Sequence, residues 1–287
     1  MNRVAASRAR STTSARTGVT PAARSRARNR KVLLWSLRLG TVAVVLAAWE
    51  IMAASVGEDL LPSLGSVVSD GIPALFTEGY AAEFGQTLIR MLIGFAIACA
   101  IALPAGALMG ASKLWADILT PYAYGIYMAP RPALLPLLIL TFGAGATFGI
   151  VMVLLFAVFF PLINTAKGVS EVVNGPLYEM TKSLQVSRRR VLFAVLIPGS
   201  LPYVLAGIRL GLGMAFNGIL LAELWTAYST GGLLEAMISY HQLPEYFALA
   251  GLIGLTAVAS YSLFGVFERR VRRKRGMAVT GAFGEAS

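Results

Sequence analysis

A chain of 287 residues that is 56% hydrophobic and only 14% charged lies far from the roughly one-quarter charged composition of a soluble domain. Its mean hydropathy of +0.69 and its apolar blocks, most of about 20 residues or more, exclude a soluble globular class and imply an all-α integral membrane protein. The net charge of +11 does not point to nucleic acid, because the basic residues gather beside apolar sequence, where they mark the cytoplasmic side and favour anionic lipid headgroups.

Residues 1–31 are polar, rich in Arg, Ser, Ala and Thr, and hold nine of the 25 Lys and Arg. They read as a disordered cytoplasmic tail, and so long a polar lead argues against a cleaved signal peptide. Residues 32–267 follow as a membrane domain of six predicted spans: 32–56, 86–110, 118–142, 148–166, 201–225 and 246–267. Between the first two, residues 57–85 place Leu64, Val67, Val68, Ile72 and Leu75 at amphipathic spacing. They predict a short helix on the outer face, punctuated by Pro62, Gly71 and Pro73.

In the second span Gly94, Ala98, Ala102, Gly106 and Gly110 recur every fourth residue, a stripe that lets helix backbones approach closely. Pro104 is a candidate kink, and Cys99, the one cysteine, can form no disulfide within the chain. The third span carries Arg131 between Pro130 and Pro132, with Pro136 beyond. Its helix must break there, and broken helix at membrane depth lines a cavity or is buried in protein. The fifth span has Gly207 and Gly211 for packing, and Arg209, Asn217 and Glu223 as polar groups. Arg209 and Glu223 lie four turns apart, so each needs a partner on another helix or subunit. For Arg131, Arg209, Asn217 and Glu223 a translocation-pathway role and a structural role both stand open. Glu50 and Arg90, near outer ends, are expected to snorkel to the interface. The chain closes with a basic cytoplasmic tail, 268–287.

Charge fixes the expected topology. The segments 1–31, 111–117, 167–200 and 268–287 hold 9, 1, 5 and 6 Lys and Arg, 21 in all, against none in 57–85, 143–147 and 226–245. Both termini are therefore expected in the cytoplasm.

The 175–198 stretch, GPLYEMTKSLQVSRRRVLFAVLIP, is charged between two apolar spans. Pro176 suits the first position of a helix from Leu177 to Leu184, with Leu177, Met180, Thr181 and Leu184 on one face. Gln185–Ser187 break it, and Ser187 is placed to cap a second helix that bears Arg188–Arg190 and stops at Pro198. The apolar face calls for a partner. Here Glu179-Met180-Thr181 and Val195-Leu196-Ile197-Pro198 resemble the EAA loop of ABC-importer permeases, with Glu179 and Pro198 in register and Gln185 where that pattern has Gly. In order along the chain, LPSL (61–64), PRPALLPLLILTFG (130–143), FFPLINTAKGV (159–169), IPGSLPYVLAGIRLGLG (197–213) and LLAELW (220–225) are similar to the nitrate/sulfonate/taurine branch of that family.

The resemblance implies a type I ABC importer permease architecture in the cytoplasmic membrane of a prokaryote. It implies a permease homodimer, two cytoplasmic ATPase subunits and an extracytoplasmic solute-binding protein. Leu177, Glu179, Met180, Thr181, Leu184, Gln185 and Pro198 would form the coupling loop. ATP and Mg would be bound by the ATPase, and this chain would bind no cofactor. The residues agree with that division: no phosphate-binding GxxxxGK[ST] loop, metal-spaced Cys/His set or catalytic constellation is present, and His241 reads as an outer surface residue. The expected solute is a small anion of the sulfonate, taurine or nitrate kind, with an aromatic acid or a vitamin precursor as the alternative. A secondary transporter would show internal repeats, and the Pro-rich third span has no counterpart in the sixth.

Overall fold

The computed structural model describes residues 21–274, with side chains for 33–273. Expectations for 1–20 and 275–287 lie outside the described residues. Two units divide the chain, one ending at Ser63 and one beginning at Leu64. In the first, α1 (Pro21–Val56) begins well inside the stretch read as a disordered tail. Its opening is rich in Ala and Arg, good helix formers, behind a proline at the first position. Gly57, at φ +94, turns the chain, and the Trp49 indole donates to the Pro62 carbonyl at 3.0 Å.

The second unit is a succession of helices: α2 (Leu64–Thr77), α3 (Tyr80–Ala111), α4 (Lys113–Met128), α5 (Leu135–Phe142), α6 (Ala146–Val173), α7 (Pro176–Ser183), α8 (Arg188–Trp225), α9 (Ser229–Ser239) and α10 (Leu243–Lys274). Among the described residues, five helical stretches are long and apolar enough to cross a membrane, at Leu33–Val56, α3, α6, α8 and along α10. The expected third span is two helices bent by 88°, and becomes a sixth crossing if the pair counts as one. The break lies where the sequence puts it. Ala129 is extended at ψ 139 because the following Pro130 bars helical geometry, and a 3-10 turn, Arg131–Leu134, leads into α5.

The core is a bundle of α3, α6 and α8, centred on Met91, Ala98, Val153, Ala157, Leu212, Ala215 and Ile219. The four-residue stripe is its seam. Gly94, Ala98, Ala102 and Gly106 are buried, and a Cβ on Gly106 would lie 2.5 Å from the Leu162 carbonyl oxygen of α6. That contact is with backbone, so only glycine fits. α3 runs unbroken through Pro104.

Two expected stops are not stops. α8 continues through Pro198, and α2 runs helically across Gly71 and Pro73. Each contains an Ile-Pro pair, 72–73 and 197–198, and each pair is preceded by a π turn, Val67–Gly71 and Leu192–Leu196. The i→i+5 bonds, Ile72 N–H to Val67 and Ile197 N–H to Leu192, widen the helix so that the proline ring clears the carbonyl of the preceding turn. Helix α9 lies within 226–245, a segment without Lys or Arg for which the sequence predicts no helix.

Candidate functional site

The loop between α6 and α8 is built locally. Gly175 is extended at ψ 155 and Pro176 opens α7, which ends in a Schellman motif: Val186 N–H bonds the Thr181 carbonyl and Gln185 N–H that of Lys182, at 3.0 and 3.1 Å. Gln185 takes the left-handed conformation, φ 51, so it makes the turn that glycine makes in the EAA pattern. Ser187 has N-cap geometry, its carbonyl accepting from Val191, without a side-chain cap bond.

Leu177, Met180 and Leu184 are 59%, 59% and 72% exposed. Glu179 is exposed beside them, in the first turn of α7. Thr181 departs from that face: it is half-buried and donates to the Tyr178 carbonyl at 2.6 Å. Pro198 sits apart, inside α8 just beyond the π turn Leu192–Leu196, and is half-buried. The loop therefore presents an apolar strip edged by a carboxylate.

Arg131, at the bend, is caged by aromatic rings. Its guanidinium carbon lies 5.4, 4.9 and 5.9 Å from the ring centres of Tyr127, Phe156 and Phe159. It donates weakly to the Tyr127 carbonyl at 3.4 Å, and its buried Nε has no partner among the described residues. Of Arg90, Arg131 and Arg209, only Arg131 has no carboxylate within 4.0 Å among the described residues.

Arg209 and Glu223 each find a partner on another helix. Arg209 Nη1 lies 3.6 Å from Glu268 of α10, and its guanidinium stacks on Tyr261 at 3.9 Å. Arg272 holds the other Glu268 oxygen at 2.7 Å and donates to the Pro202 carbonyl at 3.1 Å. Glu223 is 2% exposed and accepts from the Thr87 hydroxyl at 2.9 and 3.0 Å, with Arg90 at 3.5 Å. Thr230 bonds Thr87 at 2.7 Å, and Ser229 donates to Glu83 at 2.6 Å and accepts from Arg90. Arg90 is thus enclosed among Glu83, Glu223 and Tyr228 rather than snorkelling. With acceptors on several sides at that depth, the ion pair holds it inward. A Cβ on Gly231 would stand 2.2 Å from the Glu223 carbonyl carbon, so a side chain there would push α9 off the end of α8. Asn217 is exposed and donates to the Gly213 carbonyl of its own helix at 3.1 Å.

The structure does not bring Arg131, Arg209, Asn217 and Glu223 into one site, and the charges of Arg209 and Glu223 are met by protein. The Glu223 cluster was visible in part: Glu83, Thr87 and Arg90 recur at helix spacing in a largely apolar stretch. Glu268 and Arg272, four residues apart, are also at helix spacing, in a basic stretch. His241 is exposed and closes α9 in the left-handed conformation at φ 58.

A family model described as "Binding-protein-dependent transport system inner membrane component" matches residues 102–273, more than half of the chain. Among curated relatives, a putative ABC transporter permease protein of Methanocaldococcus jannaschii is 32% identical, covering 79% of this chain and 88% of its own. The taurine transport system permease protein of Escherichia coli is 30% identical over 67% of this chain and 72% of its own. A nitrate import permease protein of Synechococcus elongatus is 28% identical over 74% and 82% respectively.

Proposed function

The chain belongs to the binding-protein-dependent transport system inner membrane components, the permeases of ABC importers, and from that premise we propose that it couples a cytoplasmic ATPase to uptake of a small anion. The reading is carried by α7: between two membrane-spanning helices stands a short helix with Leu177, Met180 and Leu184 exposed and Glu179 at its edge. An apolar strip of this kind on a loop outside the membrane is a surface for another protein. The chain has no phosphate-binding loop of its own, so the energy enters through that contact, and ATP and Mg belong to the partner.

The working assembly is two copies of this permease, two ATPase subunits and a solute-binding protein outside, with both termini in the cytoplasm of a prokaryote. The chain itself is a transport subunit, not an enzyme. An anionic solute is supported by Arg131, which has no carboxylate within 4.0 Å among the described residues, and by relatives named for nitrate and taurine.

The test is ATPase pull-down together with solute-stimulated hydrolysis in liposomes. Glu179→Lys and Met180→Asp should each abolish association or uncouple hydrolysis from uptake while the permease still inserts. Loss of one partner of a buried interfacial charge pair costs about 3–5 kcal/mol. Normal coupling in both variants would leave α7 as scaffold.

A further inference from the structure

An apolar slot and a cationic cleft meet at the loop end of the bundle. The slot, about 540 Å³, runs between Leu108 of α3, Val169 of α6 and Leu201 and Val204 of α8. Leu108, Leu192 and Ile197 on it are exposed, so it opens outward rather than into the core. The cleft, about 610 Å³, lies between α7 and the start of α8, with Tyr178, Lys182 and Arg188 on its walls. Leu192 and Leu196, the ends of the π turn, line both spaces. One wall therefore joins an acyl-sized apolar groove to a basic one.

The cations are unanswered among the described residues. Neither Lys182 nor Arg188 has a carboxylate within 4.0 Å among the described residues, and the Lys182 ammonium lies 4.9 Å from the Tyr178 ring centre. Arg188–Arg190 also occupy the first turn of α8, where the helix dipole disfavours positive charge and favours an anion. A soluble anion would use the cleft and leave the slot empty, and an apolar helix would fill the slot and leave the cations unmet. An amphiphile with an anionic head satisfies both.

We propose that slot and cleft together hold one anionic phospholipid, its acyl chain along α8 beyond Leu196 and its phosphate on Lys182 and Arg188. The bound lipid then braces α7 against α8. This site stands whether or not α7 grips an ATPase, because its test reads the permease alone.

Native mass spectrometry of the full-length permease, delipidated and then offered phosphatidylglycerol or phosphatidylcholine, should show one phosphatidylglycerol retained per chain and phosphatidylcholine lost. Lys182→Gln with Arg188→Gln, both at exposed positions, should weaken phosphatidylglycerol retention about thirtyfold, since two cations no longer face the headgroup. Arg189→Gln with Arg190→Gln removes equal charge outside the cleft and should leave retention within a factor of about three. Val204→Trp, filling the slot, should abolish it. Equal retention of the two lipids, equal loss in both double variants, or displacement of the lipid by millimolar inorganic phosphate would each overturn the site. The last would mean that the cleft takes a free phosphate without a chain.

Discussion

The sharpest energetic claims sit on single buried polar groups. Glu223 is an acceptor for Thr87 and an ion partner for Arg90 in a place closed to water. Glu223→Leu leaves Arg90 short of its inner counter-charge and Thr87 short of an acceptor, and the loss should approach about 3–5 kcal/mol. Adding Arg90→Leu should return part of that loss, because the stranded charge is gone. Thermal unfolding in detergent measures both, and simple additivity of the two losses would refute the pairing. Thr165 is the converse case. Its hydroxyl is buried with no partner among the described residues, so Thr165→Val, which keeps the shape, should stabilise by about 1 kcal/mol. A lower unfolding temperature would mean that the hydroxyl has a partner, such as water, in the membrane.

At the scale of elements, turns and breaks decide how the loop stands. Gln185 closes α7 in a conformation that costs an L residue about 1–2 kcal/mol, so Gln185→Gly should raise the unfolding temperature and Gln185→Val should lower it. If the two shift stability alike, the left-handed turn is absent. Much of this was legible in residues: Pro176 at the head of α7, the break at Pro130–Pro132 and the small-residue seam of α3 all follow from local sterics. What escaped was one local ambiguity and a set of non-local contacts. The continuation of α8 through Pro198 needs the π turn before it, and Val-Leu-Ile-Pro reads equally well as an end. The Glu223 cluster joins residues more than 130 positions apart, so its Glu83, Thr87 and Arg90 stripe showed a polar face but not what would meet it. Nor did charge sign alone separate Arg131, left without a carboxylate, from Arg209, which has Glu268 on α10.

For the whole molecule, the open geometric question is whether the bent pair α4 and α5 crosses the membrane or turns back, and parity answers it. From Glu78, before α3, the chain traverses α3, the bent pair and α6 before it reaches Ser187. If the pair crosses, Ser187 and Glu78 lie on opposite sides; if it is re-entrant, they lie on the same side. The basic residues give the expectation: segment 57–85 has no Lys or Arg and 167–200 has five, a pattern expected of two segments on opposite faces with the basic one in the cytoplasm. Length agrees with a loop held outside the membrane. At about 1.5 Å per residue, the 38 residues of α8 span about 57 Å, well over a hydrocarbon core of about 30 Å. In a Cys99→Ala background, Glu78→Cys and Glu235→Cys, both exposed positions, should react with an impermeant thiol reagent applied to intact cells. Ser187→Cys should react only after the membrane is opened. Labelling of Glu78→Cys and Ser187→Cys from the same side would make α4 and α5 a re-entrant hairpin, leave five crossings, and put α7 out of reach of a cytoplasmic ATPase if that side is the outer one.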